Sequence, residues 1–336
     1  MKQKITCQAP SNIALVKYWG KFGQQLPLNP SISLTLSSSK TITSIELAKK
    51  VKPQLDIEFY FEGNRMPVFE AKIEKFIKLI EDEFVFVKSN KLIIHSENTF
   101  PHSSGIASSA SSMAALVYGL SAIEERETEL KRVSYYARLG SGSACRSVFP
   151  KIAIWGKNNF IQGSSNNNAI PAENDVDEVF YNFQNSILIS AVDEKKVSSS
   201  AGHELMNENP YREARIIQAN NNILEILSAM KQGDLHAFGA IVEEEALSLH
   251  AMMMTSKPNY LLMNANSLAM ILKIREYRQD TGAPLFFTLD AGPNIHLLYP
   301  ESIKESVHEF IDKELKKWCY EDKIIHDFVG NGPTIL

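Results

Sequence analysis

Residues 100–112 read F-P-H-S-S-G-I-A-S-S-A-S-S, and this stretch decides how the rest of the sequence is interpreted. It lies between a predicted strand at Lys91–His95 and a predicted helix that begins near Gly105. Small residues let the backbone approach an anion closely, and a helix N-terminus adds free N–H groups. A tightly packed helix start with ordinary serine caps explains the same composition. Composition alone leaves a phosphate site and a structural turn at even odds.

The loop offers many possible contacts to phosphate, and it is not a Walker A loop because no Gly-Lys-Ser follows. It resembles the phosphate-binding motif of the GHMP kinase superfamily, P-x-x-x-G-(L/I)-x-S-S-(A/G). The resemblance implies that the loop binds ATP, with Ser108 as the candidate contact to Mg²⁺. The candidate nucleotide-binding residues are Pro101, Ser104, Gly105, Ile106, Ala107, Ser108, Ser109 and Ser111.

Near the N-terminus, residues 9–21 read A-P-S-N-I-A-L-V-K-Y-W-G-K, with two lysines flanking Tyr18. In a strand Lys17 and Lys21 would project from the same face, although Gly20 favours a turn. From spacing alone, two solvated lysines beside a core tryptophan is the favoured explanation. The segment resembles the signature of diphosphomevalonate decarboxylases. The resemblance implies that Asn12, Tyr18 and Lys21 bind substrate and that Lys17 is catalytic.

Residues 137–147, A-R-L-G-S-G-S-A-C-R-S, form a hydroxyl-rich turn followed by an arginine. A guanidinium offers paired donors to a carboxylate or a phosphate, but many arginines pair with structural carboxylates. We interpret Cys145 as a packing residue. The segment resembles the G-S-G-S-A-(C/S)-R-S pattern of the same family, which then usually continues with a Gly-Gly pair that this chain lacks. The resemblance implies that Ser141, Ser143 and Arg146 hold substrate, with Arg146 also catalytic.

Residues 286–294, F-F-T-L-D-A-G-P-N, place an aspartate at the end of an apolar strand and before a sharp turn. An aspartate that caps its own turn explains this position equally well. The segment resembles the family motif that contains the catalytic acid, which makes Asp290 the predicted acid. His250 lies in a similar family segment, but its chemistry favours a structural histidine, and the neighbouring methionines favour core.

The composition describes an ordinary soluble protein of 336 residues with a formal net charge of −4. No basic excess points to nucleic acid, and no run of 18 apolar residues points to a membrane span. Three scattered cysteines and an N-terminus without an apolar segment favour the cytoplasm. Alternating or apolar runs predict strands at residues 31–36, 41–47 and 295–299, and helical spacing predicts a helix at residues 304–318. The pattern of strands and helices predicts an α+β fold, with lobes at residues 1–180 and 181–336. Exposed loops are expected at residues 162–177 and 193–201.

Four motifs in the family's order imply the two-lobed GHMP kinase fold, with the active site in the cleft between lobes. They imply ATP- and Mg²⁺-dependent decarboxylation of mevalonate 5-diphosphate to isopentenyl diphosphate, ADP, phosphate and CO₂, through transient 3-phosphorylation, by a homodimer. A second departure from the family lies at Ser200, where many members have an arginine. Lys196 or Arg65 could compensate for it. Alternatives are a decarboxylase or kinase acting on mevalonate 5-phosphate or mevalonate, and a non-catalytic ligand sensor.

Overall fold

Two antiparallel-rich sheets organise the molecule in a computed structural model that describes residues 1–101, 106–172, 174, 176–191 and 199–336. Ser104, Gly105 and Lys196 lie outside the described residues, as does the side chain of Ser200. The strands of the described residues are β1 (Lys4–Val16), β2 (Lys21–Phe22), β3 (Leu26–Pro27), β4 (Ser31–Lys49), β5 (Asp56–Phe61), β6 (Asn64–Arg65), β7 (Asn90–Asn98), β8 (Ile152–Trp155), β9 (Ile170–Pro171), β10 (Gln184–Leu188), β11 (Phe286–Thr288), β12 (Ile295–Tyr299), β13 (Ile324–Phe328) and β14 (Thr334–Ile335).

The larger sheet has the strand order β14-β1-β4-β7-β5-β6, with β8 and β9 continuing from β4. Only β5 and β7 pair in parallel within it, and helix α1 connects them. The smaller sheet has the order β11-β12-β10-β13 and is antiparallel throughout. Strands β2 and β3 form a short separate hairpin.

Eight α-helices cover the sheets within the described residues. They are α1 (Pro67–Ile80), α2 (Ser108–Ile123), α3 (Leu130–Gly140), α4 (Ser199–Leu205), α5 (Arg212–Gln232), α6 (Leu235–Met254), α7 (Ala265–Thr281) and α8 (Lys304–Phe310). The mixture of strands and helices confirms the predicted fold class. Helix α2 begins at Ser108 rather than near Gly105. The helix predicted over residues 304–318 is regular only to Phe310, after which a π-turn and a 3₁₀ turn follow.

Strand β4 is one continuous strand where the sequence predicts two, at residues 31–36 and 41–47. The link between them is the triple serine Ser37–Ser39. Asp327 holds this link because its carboxylate accepts all three serine N–H groups, at 2.7 to 2.9 Å. Backbone groups at the bend are therefore satisfied without ending the strand.

The hydrophobic core is continuous between the two sheets. One cluster packs α1, α2 and α3 on the larger sheet. A second cluster joins Ile13 and Leu34 of the larger sheet to Ile187 and Leu298 of the smaller one. The loop predicted to be exposed at residues 162–177 is only partly so, because Ser164 and Asn168 are buried. Within the described part of the chain, no helix is long and apolar enough to span a bilayer.

Candidate active site

A cavity of about 220 Å³ is lined by residues from both halves of the chain. It receives side chains from the end of β1, the start of α2, the turn after α3, and the turn after β11. Its charged lining side chains are Lys17, Lys21, Arg146 and Asp290. In the described part of the lining, three cations face one carboxylate, so the cavity has the charge balance of a site for a polyanion.

Lys17 and Asp290 form an ion pair, with 2.9 Å between Nζ and Oδ1. The Lys17 side chain is 2% exposed and that of Asp290 is 27% exposed, so the carboxylate remains accessible from the cavity. Burial lowers the pKa of Lys17, against the opposing effect of Asp290. Burial alone would raise the pKa of Asp290, but Lys17 and then His296 outweigh it and lower the pKa. Asp290 is therefore a carboxylate at neutral pH, and its contact with Lys17 opposes the effect of burial on the charge of the ammonium.

The backbone of Lys17 is clamped by a buried network that the sequence motifs did not reveal. Glu245 on α6 accepts the Lys17 N–H at 2.8 Å, and Arg215 on α5 donates to the Lys17 carbonyl at 3.3 Å. Arg215 also forms a bidentate ion pair with Glu245, and Asn222 donates to the same carboxylate at 2.8 Å. Both polar backbone groups of Lys17 are thus fixed by buried side chains.

Arg146 is 2% exposed and lies in a 3₁₀ turn, Gly142–Val148. Its guanidinium donates only to neutral oxygens, those of Ser33, Ser31 and Asn12, at 3.0, 2.6 and 3.3 Å. No carboxylate in the described residues forms an ion pair with it. Asp290 acts on it only from beyond ion-pair distance. A buried guanidinium with no carboxylate in contact is costly unless an anion binds. Its environment therefore favours a site for an anionic group of a ligand.

Asn12, a predicted substrate-binding residue, acts on Arg146 rather than on the cavity. It is 3% exposed and does not line the cavity. Its Oδ1 accepts from Arg146, and its Nδ2 donates to the Ser143 carbonyl and the Ser147 hydroxyl at 3.2 and 2.8 Å. Asn12 is therefore placed as a positioning residue for the arginine turn.

The other predicted substrate-binding residues do line the cavity. Gly20, with φ 84°, makes the turn that lets both Lys17 and Lys21 face it. The Tyr18 hydroxyl is buried and has no hydrogen-bond partner among the described residues. Burial raises the Tyr18 pKa, so the hydroxyl stays protonated and available as a donor. Ser141 and Ser143 complete this wall.

The described part of the predicted phosphate loop divides into two groups. Ala107 and Ser109 line the cavity, and the Ser109 hydroxyl lies 3.3 Å from that of Ser141. Ile106 and Ser111 are instead buried away from it: the Ser111 hydroxyl bonds that of Thr41 at 2.6 Å. The position of Ser111 thus does not support its predicted nucleotide contact, because its hydroxyl is hydrogen-bonded where α2 packs on β4.

A second cavity, also of about 220 Å³, opens on the other side of the start of α2. Ser108 and Ser109 line it together with Phe59, Phe61 and Phe69. Pro101 is exposed at the entry to the same loop. Aromatic walls next to a helix N-terminus suit a planar group joined to phosphates.

Two histidines lie near the first cavity, and His250 has a clear structural role. His250 is 2% exposed, and its Nε2 donates to the Asp290 carbonyl at 3.1 Å, in keeping with its interpretation as a structural histidine. His203 lines the cavity beside Tyr18, and no motif indicated it. Met252 and Met253 are buried, as expected for core, whereas Met254 at the end of the same run is exposed. Cys145 is buried, and burial raises its pKa to about 12, which agrees with a packing role.

Comparisons with known proteins agree over nearly the whole chain. The family model for the diphosphomevalonate decarboxylase-like N-terminal domain matches residues 9–167. The model for the mevalonate 5-diphosphate decarboxylase C-terminal domain matches residues 186–336. A diphosphomevalonate decarboxylase of Ganoderma lucidum is 32% identical, over 90% of this chain and 80% of that protein.

Solved structures give the same result. Mevalonate diphosphate decarboxylase from Staphylococcus aureus has a TM-score of 0.88 at 27% identity, covering 100% of this chain and 98% of that one. A complex of MDDEF with MVAPP, AMPPCP and magnesium has a TM-score of 0.84 at 27% identity, with 99% of both chains covered. Sequence, fold and both matched halves lead to one conclusion: the chain belongs to the diphosphomevalonate decarboxylase family.

Proposed function

We propose that the protein uses ATP to decarboxylate mevalonate 5-diphosphate, producing isopentenyl diphosphate, ADP, phosphate and CO₂. The observation that carries this proposal is the first cavity, where the Lys17–Asp290 pair and the unpaired Arg146 face the same space. A hydroxyl needs a proton acceptor, a carboxylate needs a cation, and a diphosphate needs further donors. The cavity offers all three kinds of group.

The nucleotide is assigned to the second cavity, with its phosphates at the start of α2. The hydroxyls of Ser108 and Ser109 and the N-terminal end of the helix fit phosphate oxygens and a phosphate-bound Mg²⁺. When bound, Mg²⁺ neutralises charge on the phosphates. Ser109 lines both cavities, so the nucleotide and the substrate meet at this residue.

In the first step, Asp290 orients the 3-hydroxyl of the substrate and accepts its proton as the hydroxyl oxygen bonds to the terminal phosphorus of ATP. The bond from that phosphorus to ADP breaks. Lys17 supplies positive charge next to the transferring group and keeps Asp290 ionised. Alignment and charge supply most of the catalysis in phosphoryl transfer.

In the second step, the 3-phosphate leaves with its bonding electron pair, and the bond to the carboxylate carbon breaks. The electrons of that bond form the new double bond, and CO₂ departs. Arg146 holds the carboxylate until then. Tyr18, Lys21, Ser141 and Ser143 hold the distal diphosphate, so binding energy far from the reacting carbon supports the reaction.

The test is to incubate the protein with Mg-ATP and, separately, mevalonate, its 5-phosphate and its 5-diphosphate, while measuring ADP and trapping CO₂. Release of both products from the 5-diphosphate alone is the expected result. CO₂ from the 5-phosphate would instead mean a changed substrate. ADP without CO₂ would make the protein a kinase and remove the proposal.

Arg146→Gln is expected to lower kcat/KM for the 5-diphosphate by roughly 100- to 1,000-fold. The substitution removes a charge from a buried site, and the substrate carboxylate then has no counter-ion. Ser33→Ala is the matched control, since it removes one neutral acceptor of Arg146 and should cost far less. Equal losses in the two variants would show that Arg146 acts only through packing.

Phe69→Ala is expected to raise the KM for ATP about tenfold or more, because stacking on an aromatic ring contributes about 1–3 kcal/mol. The affinity for the 5-diphosphate should stay near that of the wild type. Phe69→Leu keeps most of the side-chain volume but has no ring. It therefore separates the effect of stacking on the base from the effect of filling the cavity wall. An unchanged KM for ATP in both variants would place the nucleotide elsewhere.

We further propose that the chain works as a homodimer in the cytoplasm and that its lobes divide near residue 180. The dimer follows from the family resemblance, and the compartment and the lobe boundary follow from the sequence pattern. Light scattering at a mass twice that of the monomer would support the dimer, and a monomeric mass across a wide concentration range would remove it.

A further inference from the structure

The side chain of His203 forms part of the first cavity's wall, and the proposed chemistry does not use it. It is 8% exposed and lies on α4. Its imidazole is held between two rings, with centroids 4.3 Å from Tyr18 and 4.6 Å from Trp19. Gly202 permits this approach, because a Cβ at residue 202 would lie 2.7 Å from the Trp19 ring. The ring is therefore packed next to Tyr18, which is a substrate-binding candidate.

The backbone fixes the tautomer of His203. The Gly20 N–H donates to Nδ1 at 2.9 Å, so Nδ1 is an acceptor without a proton. Burial, and then Lys21, lower the pKa of His203 to about 3, so the ring is neutral at neutral pH. A neutral imidazole with a bare Nδ1 has its proton on Nε2. The Tyr18 hydroxyl beside the ring has no hydrogen-bond partner among the described residues.

We propose that the Nε2–H of His203 donates a hydrogen bond to the terminal phosphate of the substrate and makes the site prefer a diphosphate to a monophosphate. The inference rests on the proposed function, which supplies the substrate. His203 contacts Tyr18 and Trp19 and lies near Lys21, in the region assigned to the distal diphosphate.

A neutral donor suits this position. Lys17, Lys21 and Arg146 already give the cavity its positive charge, and a fourth cation would increase repulsion in the free protein. A hydrogen bond to an oxyanion is strong even when its donor is neutral, and it is directional. A monophosphate lacks the terminal oxygens that would accept the His203 N–H, so the shorter ligand forms one hydrogen bond fewer and binds less tightly.

Two substitutions separate the cavity contact from the contact with Gly20. In His203→Asn, the amide oxygen can take the place of Nδ1 and accept the Gly20 N–H, but nothing replaces Nε2. In His203→Gln, the amide nitrogen can take the place of Nε2 and keep the donor. We expect His203→Asn to raise the KM for the 5-diphosphate about 10- to 100-fold with kcat little changed, and His203→Gln to retain most of the affinity.

Calorimetric titration with inorganic pyrophosphate and with inorganic phosphate gives a readout that needs no turnover. His203→Asn should weaken pyrophosphate binding and leave phosphate binding unchanged. In the unaltered chain, pyrophosphate should shift the ¹⁵N resonance of His203 Nε2 far more than that of Nδ1. Equal binding of pyrophosphate by wild type and His203→Asn, an unshifted Nε2, or a loss in His203→Gln alone would overturn the inference.

The two proposals fail in different ways. If the wild type does not turn over the 5-diphosphate, the proposed function falls, while pyrophosphate titration still decides the role of His203. If the wild type turns it over and His203→Asn is equally selective, only the His203 inference falls.

Discussion

Asp290→Asn is expected to abolish the release of ADP and CO₂ together, with kcat falling by about 10²- to 10⁴-fold. Asparagine has nearly the same shape as aspartate but cannot accept the hydroxyl proton. It also removes the negative charge that lies 2.9 Å from the Lys17 ammonium. The first chemical step then lacks its proton acceptor, and nothing later can proceed. Coupled ADP release with trapped CO₂ measures both products.

Binding of the 5-diphosphate to Asp290→Asn should be unchanged or tighter, because Asp290 is the one carboxylate that lines the cavity among the described residues, beside three cations. The matched control is Asp327→Asn. Asp327 is also a buried carboxylate, but it serves the serine link in β4 and does not line the cavity. That variant should lose stability and keep its kcat. ADP release by Asp290→Asn at the wild-type rate would show that Asp290 does not act in phosphoryl transfer.

Acidification is expected to remove most of the free energy of unfolding between about pH 6.5 and pH 4. Burial lowers the pKa of His203 to about 3 and those of His250 and His296 to about 4. Their pKa in the unfolded chain is about 6.5. Above pH 6.5 the three histidines are neutral in both the folded and the unfolded chain, and their contribution to the free energy of unfolding is fully present. As the pH falls below 6.5, these histidines bind protons in the unfolded chain but not in the folded chain, so the free energy of unfolding decreases.

The size of this effect follows from proton linkage. Each proton contributes about 1.4 kcal/mol per pH unit, so three histidines give about 4 kcal/mol per unit. A typical domain is stable by only about 5–15 kcal/mol. Urea unfolding followed by circular dichroism, at steps of half a pH unit, measures the slope.

His296→Asn should make that slope shallower, because it removes one of the three histidines whose pKa is lowered in the folded chain. The fold should be kept, since an asparagine amide can still donate to Asn185 as the His296 Nδ1 does, at 3.2 Å. His95→Gln alters an exposed histidine and should leave the slope unchanged. A free energy of unfolding that is the same at pH 7 and pH 5 would contradict the prediction.

Local sequence patterns predicted several elements well. They failed where a residue distant in the sequence determines whether a strand continues or ends. Residues 295–299 were predicted as a strand and form β12. The interruption predicted inside β4 is absent because Asp327, far along the chain, satisfies the serine link. No window of neighbouring residues contains that information.

The candidate site divides in a similar way. Lys17, Arg146 and Asp290 could be named from short motifs, and the structure places all three around one cavity. Glu245 and His203 could not be named from local pattern. Glu245 ends a run of three glutamates that looks like a solvated helix face, and only the packing of α6 against α5 and β1 buries it.

The clamp on Lys17, formed by Glu245 and Arg215, makes the N-terminal and C-terminal parts of the chain depend on each other in evolution as well as in chemistry. Lys17 comes from the N-terminal part, yet Glu245, Arg215 and Asp290, which fix its backbone and its ammonium, all come from the C-terminal part. Recombination that exchanged one part between distant relatives would transmit the motif and leave behind the residues that orient it. These parts are therefore expected to have been inherited together and to evolve by compensating pairs of substitutions across the clamp.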